Sequence, residues 1–368
     1  MEKFATCFES LKDPRTGNAS LHNLLEILMI SLCAVLCGCE TAVDMEEFGL
    51  AKEVFLRQFL ELKHGIPSHD TFSRIFQLID PKQFQICFVT FAERFSTACK
   101  GVIAIDGKAL RRSFDSASGQ SPLYMVSAWG CEQRLVLAQT DVDVKSNEIT
   151  AIPKLLELLS LKGNIVTVDA LNCQRNIAQQ IVDQGGDYVL ALKGNQGTLH
   201  DDVSLFLNDP EIACVPHTTT DGDHGRIEIR KSMVSTDIDW LQKDHKWPGL
   251  QAIGKITRIR EATIKGTSTT STEVAYYLLS SPFSAERLGE VARAHWGIEN
   301  RLHWVLDVVF NEDQNRARKD HGPKNLAVLR HMALNVVRKE ASKGSMRVKL
   351  KRAGWNDNFL TTLLTQLV

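Results

Sequence analysis

The stretch VIAID (102–106) is a short apolar run rich in β-branched residues, and it ends in an acid that the turn-forming Gly107 follows. The stretch NIVTVD (164–169) has the same character and also ends in an acid. Both runs predict β-strands, and in an α/β sheet the groups that bind ligands converge at the carboxyl ends of strands. We therefore expect Asp106 and Asp169 to lie close together at one edge of a sheet. Taken alone, an acid at a strand end is more often a helix cap or a turn residue, and it is the combination of the two that favours a site.

The segments around these two strands predict the order of the elements. The runs LYMVSAW (123–129) and RLVLAQTDV (134–142) form a hairpin with a short polar turn, and a helix from 147 to 161 follows. After the second acid come a helix at 174–184 and the strand DYVLAL (187–192). The order βββ-α-β-α-β predicts an antiparallel meander that runs into parallel crossovers, whereas a plain doubly wound sheet would alternate throughout.

The chain before the first strand, residues 1–98, predicts a compact all-helical domain. Leucines recur at helical spacing between residues 21 and 32. A second helix is marked by the large apolar residues Phe48, Phe55, Phe59 and Leu62.

Two further helices follow the break at Gly65-Ile66-Pro67. Ser68 or Asp70 caps the third helix, and Asp80-Pro81 supplies both the cap and the first residue of the fourth. The third helix is similar to the second helix of a helix-turn-helix, which would suit DNA-end recognition. An ordinary capped core helix is the competing interpretation.

The second half of the chain changes character three times. From 194 to about 285 polar loops such as HTTTDGDHG alternate with strand-like runs, and we interpret this segment as a mostly β insertion. A long amphipathic helix is predicted from about Ala285 to Val309. Residues 336–368 form a basic helical tail, whose cations between 338 and 352 favour phosphate contact over a merely solvated face. Residues 99–335 would then be the central domain.

Composition excludes several classes of protein. The net charge of −1, from 43 Lys and Arg against 44 Asp and Glu, leaves no global basic footprint, so any nucleic-acid contact must come from local patches. The nine Cys have no paired zinc-module spacing and are expected to be reduced thiols. The most apolar stretch, 24–38, is too short to span a bilayer and contains Glu26. With no signal-peptide pattern at the start, we expect a cytoplasmic protein without membrane contact.

A third carboxylate on the long helix can complete a metal site. Asp106 and Asp169 would repel each other without a cation, and hard oxygen ligands favour Mg²⁺ or Mn²⁺. Glu299 lies at the edge of the helix's apolar stripe and can point toward the strand ends. The simpler interpretation is an ion pair with His295 or His303, one turn away on either side. Zinc is disfavoured because three ligands on one helix, at 295, 299 and 303, would span roughly 12 Å at about 1.5 Å per residue.

The string HWGIENRLHWVLDVVFNED (295–313) closely resembles the third signature of the insertion-sequence transposases of the ISAs-one family, the H-repeat-associated proteins. Further resembling strings, in order along the chain, are IAIDGKALRRS (103–113), VSAWG (126–130), KSNEITAIPKLLELL (145–159), IVTVDALNCQ (165–174), GGDYVLALKGNQ (185–196) and HGRIEIR (224–230). The resemblance covers nearly the whole chain. It implies a DDE-type transposase with a ribonuclease-H-like domain, an insertion before the last catalytic helix, and two Mg²⁺ or Mn²⁺ ions per active site.

Carried over by motif, the resemblance implies that Asp106, Asp169 and Glu299 are the catalytic and metal-binding residues. The broader superfamily often places a Tyr, an Arg and a Lys around the Glu, where this chain has Ala292, His295 and Leu306. The candidates to replace their phosphate contacts are Arg293, His295 and Arg301. Three acids further along the segment are runners-up for the third carboxylate, namely Asp307, Glu312 and Asp313.

Several other polar residues are candidates for DNA contact because Lys and Arg supply most contacts to phosphates. They are Lys108, Arg111 and Arg112 after the first acid, Lys193 and Asn195 after the strand at 187–192, and His224 and Arg226 in a possible hairpin tip. A solvated loop explains the first group equally well, and a turn into a helix explains the second.

The expected function is transposition of DNA. The chain would hydrolyse phosphodiester bonds at insertion-sequence ends and transfer the freed strand into target DNA. The alternatives are a nuclease without strand transfer and a catalytically silent remnant that only binds DNA. The resemblance further implies double-stranded DNA as partner, a homodimer when assembled on DNA, and association with the nucleoid in the cytoplasm.

Overall fold

The computed structural model describes residues 2–95, 100–114, 121–142, 148–212, 214–223, 226–264 and 267–367. The N-terminal part is entirely helical, as predicted. Its α-helices are α1 (Glu2–Cys7), α2 (Leu24–Leu36), α3 (Ala42–Ala51), α4 (Glu53–Leu56), α5 (His69–Leu78) and α6 (Pro81–Glu93).

The local signals for helix starts explain most of these boundaries. The Asp80 side chain accepts from the backbone N–H groups of Lys82 and Gln83, and Pro81 opens α6, as predicted. The predicted second helix was wrong in extent, because it breaks at Lys52 into α3 and α4. Leu62 adopts a φ of +48°, so the chain has already left the helix there.

Five strands form the centre of the sheet: β1 (Gly101–Leu110), β2 (Leu123–Gly130), β3 (Leu135–Asp141), β4 (Asn164–Val168) and β5 (Asp187–Leu192). Their order is β3-β2-β1-β4-β5, with β1, β2 and β3 antiparallel and β4 and β5 parallel to β1. Helices α7 (Glu148–Leu156) and α8 (Arg175–Asp183) make the crossovers. This is the ribonuclease-H-like arrangement, so the predicted mixed α/β fold class is confirmed.

The insertion continues the same sheet. It comprises α9 (Thr198–Asn208), β6 (His217–Asp223), β7 (Arg226–Ser235), α10 (Asp239–His245), β8 (Ala252–Ile264) and β9 (Thr267–Leu279). β9 pairs antiparallel with β5, so the described strands form one sheet of nine in the order β3-β2-β1-β4-β5-β9-β8-β7-β6. The prediction of a polar loop at HTTTDGDHG was wrong for the β6 residues. β6 is an edge strand of polar residues and glycine, so its sequence lacks the apolar alternation that marks a half-buried strand.

The last part of the chain is helical. It contains α11 (Ala285–Ile298), a π turn (Glu299–His303), α12 (Trp304–Val308), α13 (Gly322–Lys339), α14 (Met346–Trp355) and α15 (Asp357–Leu364). The long helix was therefore predicted with nearly correct ends, but its interruption by a π turn was not foreseen. No described helix is long and apolar enough to span a membrane.

Two apolar layers cover the sheet. On one face, Ala104 and Trp129 join a core that the N-terminal helices share with α12 and the C-terminal helices. On the other face, Ile103 and Ile105 pack with α7, α8 and α9. Because side chains alternate along a strand, even-numbered residues of β1 face α11 and odd-numbered residues face α7. This alternation decides the directions in which residues 106, 107 and 108 point.

Several cations of the basic tail bind within the protein. The Lys349 ammonium donates to the Glu340 carbonyl and lies 3.0 Å from its carboxylate. Arg347 donates to the Val308 carbonyl, and the Arg338 guanidinium lies 5.9 Å from the centre of the Trp129 ring. Part of the positive charge that we expected to contact phosphates is therefore bound within the protein.

Candidate active site

Asp106 lies where two parallel strands part. The pairing of β1 with β4 ends at Ile105 and Val168, whereas the pairing of β1 with β2 continues through Asp106 and Ser127 to Leu110. The prediction that Asp106 closes its strand was therefore wrong. Asp106 instead sits one residue beyond the last parallel pair, and its side chain lies on the face that α11 covers.

Asp169 follows β4 directly and is held by Asn172. The Asn172 backbone N–H and Nδ2 donate to Asp169 Oδ1 at 3.1 and 2.7 Å, and the same Nδ2 donates to Glu148 Oε2 at 2.7 Å. The Asn195 side chain donates to the Ala170 carbonyl at 2.8 Å and fixes the same loop from the next strand. Asp169 is thus oriented by hydrogen bonds.

Glu299 and His303 are the first and last residues of the π turn. The Trp304 N–H donates to the Glu299 carbonyl, five residues back, and this wider turn keeps both side chains on the face toward the sheet. His303 Nδ1 lies 3.0 Å from Glu299 Oε2 and 3.6 Å from Asp106 Oδ2. Ligand atoms of these three residues all lie within 4.8 Å of one another, and Asp169 lies outside this set. Asp106 and Glu299, from distant parts of the chain, therefore converge.

The charge of Asp106 is poorly solvated. Burial raises the pKa of its carboxyl to about 6, against the opposing attraction of His303, and the negative charges of Asp169 and Glu148 raise it further. Four carboxylates thus meet at this edge of the sheet, counting Glu299. Such a group is destabilised unless a cation neutralises it, and its oxygen donors suit a hard divalent ion.

Glu148, the first residue of α7, is the acid that the sequence analysis missed. In the sequence it falls at the start of the helix predicted for 147–161. The signal that could have revealed it is Gly107, which does not turn but continues β1 as a strand. A Cβ at position 107 would lie 2.5 Å from Glu148 Oε1 and 2.5 Å from Tyr124 Cε1. The glycine therefore admits the Glu148 carboxylate from the α7 side of the sheet.

His295 lies one turn before Glu299. Burial lowers the pKa of its imidazole to about 4, although Asp169 attracts the charged form. The ring is consequently neutral near pH 7. A neutral imidazole can share a hydrogen bond with a phosphate but brings no charge to it, unlike the Arg that the broader superfamily often has here.

Lys108, on the same face of β1 as Asp106, is surrounded by the three runner-up acids. Its Nζ lies 2.7 Å from Asp307 Oδ1, 3.1 Å from Glu312 Oε2 and 3.2 Å from Asp313 Oδ1. Burial opposes ionisation of Glu312, but Lys108 and Arg330 outweigh it and hold the pKa of that carboxyl below its usual value. These acids neutralise Lys108 and are not gathered around Asp106.

The other cations predicted near the cleavage centre lie in different settings. Arg111 is 80% exposed and its Nε lies 3.3 Å from Asp313 Oδ2, while Arg112 is half-buried. Arg293 is bound to Asp221 on β6. Arg301 is exposed, and its carbonyl accepts from Arg338.

The candidates further from the centre are at loop ends. Lys193 is exposed just after β5, and Arg226 is exposed at the start of β7. His224 lies outside the described residues. A role in DNA contact stays a prediction for all of these cations and for Asn195.

Fold and site together define a class of protein. A ribonuclease-H-like sheet with two acids just beyond the last residue pair of its parallel central strands, covered by an acid-bearing helix after an insertion, is the architecture of the DDE transposase domain. The chain belongs to this family, because the model of the transposase DDE domain matches residues 97–336. The DDE_Tnp_1-associated model matches residues 5–92.

Relatives match over most of the chain. The "H repeat-associated putative transposase YhhI" of Escherichia coli (strain K12) is 37% identical over 351 residues, which is 93% of this chain and 92% of that protein. The "uncharacterized protein in dhlA 3'region" of Xanthobacter autotrophicus is 47% identical over 262 residues, 69% of this chain and 88% of that protein. A cryo-EM structure of the piggyBac transposase synaptic complex with hairpin DNA aligns with 98% of this chain and 77% of its own, at a TM-score of 0.45 and 11% identity.

Proposed function

We propose that the protein is a DNA transposase that cuts phosphodiester bonds at insertion-sequence ends and joins the freed strand to target DNA. The observation that carries the proposal is the convergence of Asp106 and Glu299 beside Asp169, from three separate elements, at one edge of the sheet. The partner would be double-stranded DNA, both as element end and as target, bound by a homodimer in the cytoplasm at the nucleoid.

The residues at this edge fit two Mg²⁺ or Mn²⁺ ions. The donors are carboxylate oxygens, and the burial of Asp106 among other acids leaves negative charge to be neutralised. Asp106, Asp169 and Glu299 are the residues that would hold the ions. Bound there, the ions would activate the attacking oxygen and stabilise the leaving one.

The chain's own groups would orient these ligands. His303 lies within hydrogen-bond distance of Glu299 and holds it toward Asp106, while Asn172 fixes the rotation of Asp169. The neutral His295 can hold a scissile phosphate oxygen without adding charge. Attack by water would release a 3′-hydroxyl, and attack by that hydroxyl on a target phosphate would form the new bond and release the target's own 3′-oxygen.

The test is cleavage of duplex DNA that carries the element's end, with Mg²⁺ or Mn²⁺. We expect Asp106→Asn and Glu299→Gln to lose nicking by more than about a hundredfold, since removing even an outer partner of a metal ligand costs about 10- to 100-fold. Asp313→Asn is the matched control. Asp313 pairs with Lys108, so this variant should keep the nicking activity. Full nicking by Asp106→Asn would overturn the proposal, and loss in Asp313→Asn alone would move the third carboxylate there.

Two outcomes would favour the alternatives. Nicking without strand-transfer products would indicate a nuclease. A melting temperature that does not rise with Mn²⁺ would indicate a silent DNA-binding protein, because a ligand that prefers the native state must stabilise it.

A further inference from the structure

A group of cations lies just beyond the C-terminal end of β1. It consists of Arg111 and Arg112 from the end of β1 and Arg316, Arg318 and Lys319 from the loop between α12 and α13, and we call it the Arg316 surface. We infer that the Arg316 surface binds the phosphate backbone of the element-end duplex, several base pairs from the cleavage centre. The inference rests on the proposed function.

The loop that carries three of these cations is fixed from two sides. Toward the sheet, Arg318 Nε donates to the Arg112 carbonyl at 3.3 Å, and its guanidinium lies 5.1 Å from the centre of the Phe114 ring. Toward the N-terminal helices, Asn315 Nδ2 donates to the Glu40 carbonyl at 3.2 Å, and Asn311 Nδ2 donates to the Glu40 carboxylate. A loop held in this way presents its charges without first having to be ordered, which lowers the entropic cost of binding.

The charges of the Arg316 surface are largely unopposed. Within the described ranges, Arg112, Arg316, Arg318 and Lys319 form no ion pair with any carboxylate. Asp320 adjoins them in sequence, and Glu40 and Asp70 line the same groove as Arg316, Arg318 and Lys319. The Glu40 carboxylate accepts from Asn311, so its charge is already partly bound. An excess of cations on a fixed loop is what a polyanion requires.

A second cluster of arginines provides a contrast. Arg230, Arg258 and Arg260 lie beside Arg293 in a groove between the insertion and α11. Each of them is paired with an acid of the insertion, the acids being Asp221, Glu228 and Glu273. Because these pairs would have to break before phosphates could bind, this groove is the weaker candidate.

The position of the Arg316 surface suits a duplex that is cut at Asp106. Arg112 is six residues past Asp106, so at about 3.3 Å per residue it lies at most about 20 Å away. One strand of B-DNA rises about 3.4 Å per nucleotide, which places the contact up to about six base pairs from the cut. Contacts to phosphates fix the register of a duplex without reading its sequence. The surface would therefore position the end and leave its recognition to other residues.

The salt dependence of DNA binding tests the inference. The variant Arg316→Gln/Lys319→Gln removes two exposed cations and leaves Arg318, which contacts Phe114, in place. Its affinity for an element-end duplex is measured at several salt concentrations without divalent metal, so that no cutting occurs. The slope of the logarithm of the binding constant against the logarithm of the salt concentration should be shallower by about 0.9 per lost phosphate contact. The wild-type to variant affinity ratio should then shrink about twelvefold between about 50 and 200 mM salt.

The control is Lys162→Gln/Lys243→Gln, two exposed lysines on the α8 and α10 side of the chain, which should keep the wild-type salt dependence. An unchanged slope in Arg316→Gln/Lys319→Gln, with normal cutting by the wild type in Mg²⁺, overturns the inference and leaves the proposed function intact. A wild type that neither binds nor cuts the duplex overturns both.

Discussion

The Lys108 ammonium lies 3.1 Å from the Glu312 carboxylate in the interior, two residues past Asp106 on the same face of β1. Glu312 follows the helix that carries Glu299, so this ion pair ties the strand of one catalytic candidate to the segment of the other. Glu312 is only 2% exposed and Lys108 only 11%. The pair therefore contributes to the relative placement of strand and helix more than a surface pair can.

Replacing Lys108 should destabilise the protein strongly. Lys108→Met leaves Asp307, Glu312 and Asp313 without their shared cation, and breaking a buried pair costs about 3–5 kcal/mol. Urea unfolding of wild type and variant measures the change in the free energy of unfolding. Adding Asp307→Asn in the same chain should recover part of this loss, because Asp307 pairs with Lys108, whereas Glu312 keeps Arg330 3.6 Å away.

The matched control is Arg57→Met. Arg57 pairs with Glu53 on the surface, where such pairs contribute about 0–1 kcal/mol. Equal losses in Lys108→Met and Arg57→Met would show that the Lys108 cluster has no special structural importance.

Gly107→Ala should distort the site by adding one methyl group. Its Cβ would meet Glu148 and Tyr124 at 2.5 Å, and overpacking of this kind costs about 1–3 kcal/mol. The comparison is Gly297→Ala, in α11, where a Cβ meets nothing within 4 Å. That variant should gain about 0.5–1 kcal/mol, because Ala favours the helix over Gly. Thermal unfolding of both variants provides the measurement, and a stable Gly107→Ala would disprove the close approach of Glu148.

Asn172→Ala should weaken metal binding without touching a proposed ligand. One buried amide nitrogen holds both Asp169 and Glu148, and loss of such an outer partner lowers metal affinity about 10- to 100-fold. Titration calorimetry with Mn²⁺ measures this directly. Asn164→Ala, at the opposite end of β4, removes a similarly buried amide whose Nδ2 donates to the Ser160 carbonyl, and should keep the wild-type affinity. Equal Mn²⁺ affinity in both variants would remove the positioning role of Asn172.

The stability of the metal-free protein should depend on the charge of Asp106. Burial raises the pKa of this carboxyl to about 6, so the folded chain holds the proton more tightly than the unfolded chain. Stability is therefore lost as pH rises from about 4 to 6, and the penalty is complete above that window. Asp106→Asn removes the penalty and should stabilise the protein by up to about 3 kcal/mol at pH 8.

At pH 4 the same substitution should have little effect, because the carboxyl is then largely neutral in the folded chain. Urea unfolding in EDTA at the two pH values makes the comparison. A stability difference between wild type and Asp106→Asn that is the same at pH 4 and pH 8 would contradict the buried, charged environment of Asp106.

The fold was predictable where local signals and burial agree. Asp80-Pro81 marks the start of α6 by chemistry that acts within a few residues, and the runs at 102–106 and 164–169 are strands buried on both faces. β6 was missed because this edge strand, HTTTDGD, contains no apolar side chain and so cannot show apolar alternation. The π turn was not predicted because the apolar periodicity of a helix does not indicate where one extra residue is inserted.

The site was predictable in part for the same reason. Asp106 and Asp169 each follow an apolar run that the sequence marks clearly, and both were named. Glu148 approaches from the other face of the sheet through a gap at Gly107, and the cause of that gap is visible only in three dimensions. Likewise, the ring of acids around Lys108 joins residues about two hundred positions apart, so the sequence offered Lys108 only as a contact for DNA.

The π turn makes the length of the chain between Glu299 and Asp307 as important to the site as the identity of its residues. A π turn holds one residue more than an α-helical turn would, so deleting a residue within 300–302 would restore a regular helix. The helix after the deletion would then be rotated by about 100° relative to the part before it. Either the approach of Glu299 to Asp106 or the ion pair of Asp307 with Lys108 could then be kept, but the other would be lost. A substitution within residues 300–302 should accordingly disturb the site less than the deletion or insertion of a residue there.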